Sequence, residues 1–130
     1  MTGYRFSSRS LDNLKGVHPD LIACVVLALY KYTPVDFMVV EGMRSLEDQR
    51  IYFAEGSTWT MASKHLVQSD GTSHAVDLAP IVEGAVPWHS WDKFEDVNRA
   101  MQIAADEVGV AVKWGGDWKV KDGPHYQLQT

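Results

Sequence analysis

A single cysteine, Cys24, is all the thiol chemistry this 130-residue chain possesses. That excludes an internal disulfide framework and any multi-cysteine zinc site. Cys24 lies inside an apolar helical run and reads as a small buried hydrophobe. Basic charge is also short: 12 lysines and arginines against 17 acids leave a net charge of −5 and a pI near 5.4. A surface that tracks nucleic-acid phosphates would be basic, so no nucleic-acid partner is expected. Long hydrophobic runs are missing too. The longest, residues 21–30, falls well short of the roughly 20 residues a bilayer-spanning helix needs, so no membrane insertion is expected. The opening MTGYRFSSRS has two arginines but no apolar region behind them and no small-residue cleavage site, so no secretory signal peptide is read. A chain of this kind that acts outside the cytoplasm needs another way out. Repeats and linker-like tracts are absent, and 45% hydrophobic content fits one compact domain over residues 1–130.

What is present divides into a few clear elements. Pro19 suits a first helical position, and Leu21, Ile22, Val25, Val26 and Leu29 recur at helical spacing up to Pro34. Residues 36–42 form a short β-branched-rich strand. Ser45, with an acid three residues on, opens a helix that stops at Gly56. Residues 57–72 read as a long polar loop, and 75–79 as a buried strand. The helix from Trp91 to Val108 has Phe94, Val97, Met101, Ala104, Ala105 and Val108 on one face and Gly109 at its close. Strands at 110–114 and 125–129 finish the chain. They lie too close in sequence for a helical crossover and should pair antiparallel, which makes the fold α+β: a small antiparallel sheet flanked by helices.

Three local signals carry chemistry. The first is Ser63-Lys64-His65, followed after a loop by Ser73-His74-Ala75-Val76-Asp77-Leu78. The second is Trp114-Gly115-Gly116-Asp117-Trp118, and the third is Asp122-Gly123-Pro124-His125-Tyr126. A hydrolytic zinc ion takes three His or Asp/Glu ligands and keeps one position for water. A further carboxylate, close but not coordinated, must take the water's proton and pass it to the leaving amine. His65, Asp77, His125 and Asp122 meet that list.

In this order the motifs resemble the signature of a zinc peptidase family, the D-Ala-D-Ala carboxypeptidases and the L-alanyl-D-glutamate endopeptidases used as phage endolysins. The upstream Val40-Glu41-Gly42-Met43-Arg44-Ser45 is similar to the family's strand-to-helix arginine segment. The resemblance spans nearly the whole chain. It implies a zinc DD-peptidase, hedgehog-like fold, with zinc held by His65, Asp77 and His125, Asp122 as the catalytic carboxylate, and Arg44 steadying a substrate carboxylate or the developing oxyanion. One departure stands out. The family commonly separates the first histidine from the aspartate by about six residues, within ordinary loop variation. Here residues 66–73 lengthen that loop, and His74 enters as an alternative first ligand. On a strand, residues three apart point oppositely, so His74 would not share a face with Asp77.

Each of these residues also has a bland reading. Asp77 can be a hydrogen-bonded structural acid, and Asp122 before glycine a turn residue. Asp117 reads as a loop brace, His18 as a helix cap and His89 as a surface residue. Arg44 can simply pair with Glu41 or Glu47. Trp88, Trp91, Trp114 and Trp118 are candidates to line a cleft for a sugar-peptide strand, with Trp88 carried as a substrate contact and Trp114 and Trp118 read as packing. The expectation is a monomeric, zinc-dependent endolysin that cuts the L-Ala–D-Glu bond of the peptidoglycan stem peptide. It would be made in the host cytoplasm and act on the periplasmic wall. A D-Ala-D-Ala carboxypeptidase and a non-catalytic zinc-containing wall-binding module are the alternatives.

Overall fold

The computed structural model describes residues 1–57 and 60–129, so Thr58 and Trp59 of the expected polar loop lie outside the described residues. The element order is α1 (Ser8–Asn13), α2 (Pro19–Leu27), a π-helical turn (Ala28–Tyr32), β1 (Asp36–Glu41), α3 (Leu46–Ala54), β2 (Ala75–Ile81), α4 (Trp91–Val108), β3 (Val112–Trp114) and β4 (His125–Leu128). The strands form one sheet in the order β1-β2-β4-β3, and every pairing in it is antiparallel. The α+β expectation therefore holds, including the pairing of the two last strands.

Local chemistry explains most of the boundaries. Ser45 accepts a hydrogen bond from the Asp48 amide and opens α3, and His18 accepts from the Asp20 amide at the start of α2, with Pro19 in the first turn. Gly109 closes α4 in the left-handed region at φ 88°. The short α1 was not anticipated, because six mostly polar residues carry almost no apolar periodicity. Its role is to cover an edge. Asn13 donates to the Val39 carbonyl at 2.8 Å and Ser10 accepts from the Val39 amide at 3.1 Å, which occupies the outer backbone groups of the edge strand β1.

The two faces of the sheet have different fates. Phe37 and Val39 of β1, Val76 and Leu78 of β2, Tyr126 and Leu128 of β4, and Val112 and Trp114 of β3 share the face that packs on α2 and α4. Leu21, Val25, Val97 and Met101 meet them there, all 1% exposed or less. The alternate residues point the other way. On that second face Glu41 pairs with Asp77, and Asp77 with His125, so one row of polar side chains crosses three strands.

Candidate metal centre and active site

The second face becomes a site because His65 is brought to it from the loop. The Arg44 amide donates to the His65 carbonyl at 2.9 Å, and the His74 amide to the Lys64 carbonyl at 2.9 Å, so the backbone of the histidine and of the residue before it is pinned. The buried His65 ring then places Nε2 3.1 Å from Asp77 Oδ1, while His125 places Nδ1 3.3 Å from that same oxygen. Three candidate ligand atoms, two from the first of the sequence signals and one from the third, converge within 4.8 Å of one another.

The far nitrogens of both rings decide what the near ones offer. His65 Nδ1 lies 2.8 Å from the Gly42 carbonyl, which can only accept, so Nδ1 carries the proton and the neutral ring presents a lone pair at Nε2. His125 Nε2 lies 2.8 Å from Gln127 Oε1 and is oriented in the same manner, leaving Nδ1 as the free donor atom. Two lone pairs aimed at a carboxylate oxygen repel unless positive charge sits among them. Four-coordinate zinc, with ligands at about 2.0–2.1 Å, separates neighbouring ligand atoms by about 3.3 Å. The observed 3.1 and 3.3 Å match that spacing, and the outer hydrogen bonds are the partners that metal-bound imidazoles use. The donor set fits a divalent ion.

The proton equilibria point the same way. Burial alone would raise the Asp77 carboxyl, but hydrogen bonds to His125 and His65 and the charges of both rings hold it well below the usual carboxylate range. Burial opposes the charged form of His125, yet Asp77 and Gln127 outweigh it and its pKa rises. Asp122 stands at the rim of the cleft. Partial desolvation, and then the charge of Asp77, push its carboxyl up against the opposing pull of His125, His65 and Arg44. A raised carboxylate beside a candidate metal centre is a proton acceptor tuned toward neutral pH.

Asp122 is set by the backbone of the Trp-Gly-Gly-Asp segment. Its amide donates to the Gly115 carbonyl at 2.9 Å, and its own carbonyl accepts from the His125 amide at 3.2 Å. A Cβ on Gly115 would run into the Asp122 carbonyl, so only glycine permits this approach. Arg44 is held more firmly than a surface arginine. Its Nη2 donates to Glu41 at 2.9 Å and its Nη1 to Gln49 at 2.7 Å, with Nε also on Glu41, and the guanidinium lies 4.9 Å from the Tyr52 ring centre. The pairing with Glu41 is thus real, and it fixes the arginine at the cleft. Burial works against its charge but Glu41 more than restores it.

His65, Asp77, Asp122, His125, Arg44 and Trp118 all line one cleft of about 630 Å³. A scan against family models matches residues 2–129 to the phage L-alanyl-D-glutamate peptidases. The chain belongs to that family. Among curated relatives, the L-alanyl-D-glutamate peptidase of Escherichia phage T5 is 28% identical over 129 residues, covering 97% of this chain and 90% of that protein. The enzyme of the same name from Listeria phage A118 is 27% identical across 98% of this chain and 43% of its own length. Among solved structures, the crystal structure of the Serratia marcescens L-Ala D-Glu endopeptidase ChiX superposes with a TM-score of 0.84 at 46% identity, covering 96% of this chain and 90% of that one.

Within this phage peptidase fold two readings of the sequence need correction. His74 is not part of the central group: it lies with His18 and Asp70 in a separate cluster. Trp88 is not brought to the cleft. It is 60% exposed and stacks on Phe94 with ring centres 6.0 Å apart. Among the described tryptophans, the one that lines the cleft is Trp118, tilted against His125 at 5.0 Å, whereas Trp114 is buried and donates to the Gly123 carbonyl. Sequence reasoning also missed the supporting residues. Gln127 was findable, since a residue two beyond His125 on a strand shares its face. Gln49, fully buried between Arg44 and the Thr60 carbonyl, left no signal, because one polar residue in a polar helix looks solvated.

Proposed function

We propose that this chain is a zinc-dependent peptidoglycan endopeptidase of the phage lysin type, a single catalytic domain that cuts the stem peptide between L-Ala and D-Glu. The observation that carries this reading is the convergence of His65 Nε2, His125 Nδ1 and Asp77 Oδ1, with both ring tautomers held by outside partners. The names of the family and of its relatives supply the substrate. Zinc bound by these residues would supply a Lewis-acid centre that activates water and polarises the amide carbonyl.

The chain's own residues account for the rest. Asp122 accepts a proton from the attacking water on its carboxylate and returns it to the nitrogen of the departing D-Glu. Arg44 spends three of its N–H groups on Glu41 and Gln49 and keeps two for a substrate carboxylate or the developing oxyanion. Trp118 offers an apolar wall next to His125. Among the described residues no helix is long and apolar enough to cross a membrane. Action on the periplasmic wall, reached through a separately encoded pore, and a monomeric state are part of the same proposal.

Mass spectrometry of the products from purified Gram-negative sacculi, digested with and without a zinc chelator, tests this reading. Chelator-sensitive release of peptides beginning at D-Glu, leaving glycan that bears L-Ala alone, is the expected result. Release of terminal D-Ala only would make the protein a carboxypeptidase. No products from folded, zinc-loaded protein would overturn the enzymatic reading for this substrate.

A further inference from the structure

The cluster to which His74 belongs repeats the donor set of the active site without touching it. His18, Asp70 and His74 each present one ligand atom, all within 4.8 Å of one another, and none of the three lines the catalytic cleft. His74 Nε2 is 2.8 Å and His18 Nε2 is 3.8 Å from the same oxygen, Asp70 Oδ2. Those two separations bracket the roughly 3.3 Å between neighbouring ligands of a tetrahedral zinc ion. We propose that His18, Asp70 and His74 form a second divalent-metal site, of zinc-type nitrogen and oxygen chemistry, which fastens the loop 66–73 to the start of α2.

The backbone frame for this site is already built. The Ser73 amide donates to the Gly16 carbonyl at 2.8 Å, and the His18 amide to the Ser73 carbonyl at 2.9 Å, so the end of the loop and the entry to α2 run side by side. The Asp70 carboxylate is oriented as well. Its Oδ1 accepts from the Thr72 amide at 2.9 Å and from the Thr72 hydroxyl at 2.7 Å, which leaves Oδ2 directed at the two imidazoles. His18 and Asp70 are partly exposed, so water can complete the coordination.

The ring of His18 needs one adjustment. Its Nδ1 accepts the Asp20 amide at 3.0 Å, so the neutral metal-free ring carries its proton on Nε2. Coordination through Nε2 moves that proton to Nδ1 and gives up the capping bond. The Asp20 carboxylate, with Oδ2 4.0 Å from Nδ1, is the acceptor for the relocated proton. A carboxylate behind a metal-bound histidine is the usual outer partner, and binding energies of structural zinc far exceed one cap. Asp70 lies within the loop 66–73 and His74 follows it directly. The loop thus has one ligand of its own and a second at its exit.

Metal stoichiometry on the full chain tests this, using native mass spectrometry in zinc-buffered solution. The wild type should bind two zinc ions, and His65→Ala and Asp70→Asn one each. Asp70→Asn should weaken the second equivalent by more than the ~10–100-fold that loss of an outer partner costs. Because Asp70 is exposed, this variant should fold and retain wall-cleaving activity, with His74→Ala as a second variant. In hydrogen exchange, the second equivalent should slow the amides of residues 66–73 in the wild type and not in Asp70→Asn. A wild type that takes up one zinc only would overturn the site and leave an ion-paired clasp. Two equivalents retained by Asp70→Asn would place the second ion elsewhere and overturn the assignment equally.

Discussion

Asp77 and His125 are direct register partners across β2 and β4, and Asp77 Oδ1 lies 3.3 Å from His125 Nδ1 on the face turned away from the core. The row places the carboxylate; the outer bond from His125 Nε2 to Gln127 then selects the tautomer. Gln127→Leu removes that selection while keeping similar bulk. Metal affinity should fall ~10–100-fold, as measured by competition with a chromophoric chelator. An unchanged affinity would mean that Gln127 does not orient the ring.

Asp122 differs from the three ligand candidates in touching neither imidazole through a hydrogen bond among the described residues. Asp122→Asn should therefore keep its metal and lose ~10²–10⁴-fold in kcat, the range for removing a general base. Elemental analysis alongside turnover on sacculi separates the two effects. Loss of metal together with activity would make Asp122 a ligand. The pH profile adds a sign. The carboxylate is the working form, so activity should fall with acidification. Burial and the charge of Asp77 raise its pKa in the metal-free protein, and a bound cation opposes that shift. The acid limb should therefore lie lower with metal than the titration of Asp122 in the chelated protein.

The strands and α4 were legible because their periodicities are local. Phe94, Val97, Met101, Ala104 and Ala105 stand 3, 4 or 1 residues apart, all come out buried, and Gly109 closes the helix as read. The family resemblance brought His65, Asp77, Asp122, His125 and Arg44 together in one reading, and the structure gathers all five around one cleft. What stayed hidden depends on long-range placement. The partner of His65 is the carbonyl of Gly42, 23 residues away, and a backbone oxygen has no sequence signature. The separate grouping of His74 with His18 could not be read either, since it requires loop 66–73 to lie beside the start of α2. Trp118 looked like packing because exposure cannot be deduced from residue type.

Gly115 tests whether the Trp-Gly-Gly-Asp segment serves the site or only the fold. In Gly115→Ala the new methyl meets the Asp122 carbonyl and presses on the Cβ atoms of Asp122 and His125. Overpacking of this kind costs ~1–3 kcal/mol. The larger effect should be on kcat, through displacement of Asp122, and chemical denaturation compared with turnover at a temperature where both proteins are folded will show it. A variant destabilised but fully active would make the contact structural alone.

Gln49 ties Arg44 to the loop: its Oε1 accepts from Nη1 and its Nε2 donates to the Thr60 carbonyl at 2.6 Å. Gln49→Leu leaves buried polar groups without that partner, at a cost of ~1–3 kcal/mol in stability. KM for peptidoglycan fragments should rise more than kcat falls if the arginine's main work is holding a substrate carboxylate. A drop in kcat at constant KM would assign Arg44 to the developing oxyanion instead.

The opposite shifts of Asp77 and His125 predict that metal removal reverses the pH dependence of stability. Without metal, Asp77 has a folded pKa below its ordinary 3.8, so its contribution is present above that value and is lost as pH falls through the folded pKa. His125 has a folded pKa above its ordinary 6.5. Its contribution is complete below 6.5 and disappears as pH rises through the raised value. The chelated protein should therefore be most stable between about pH 4 and 6.5 and lose Tm toward pH 8. Metal binding requires His125 to release its proton, so the loaded protein should gain Tm over that same rise. Scanning calorimetry from pH 5 to 8, with and without chelator, should give slopes of opposite sign. Parallel slopes would mean that the ion does not compete with the proton on His125, and the ligand set would have to be redrawn without it.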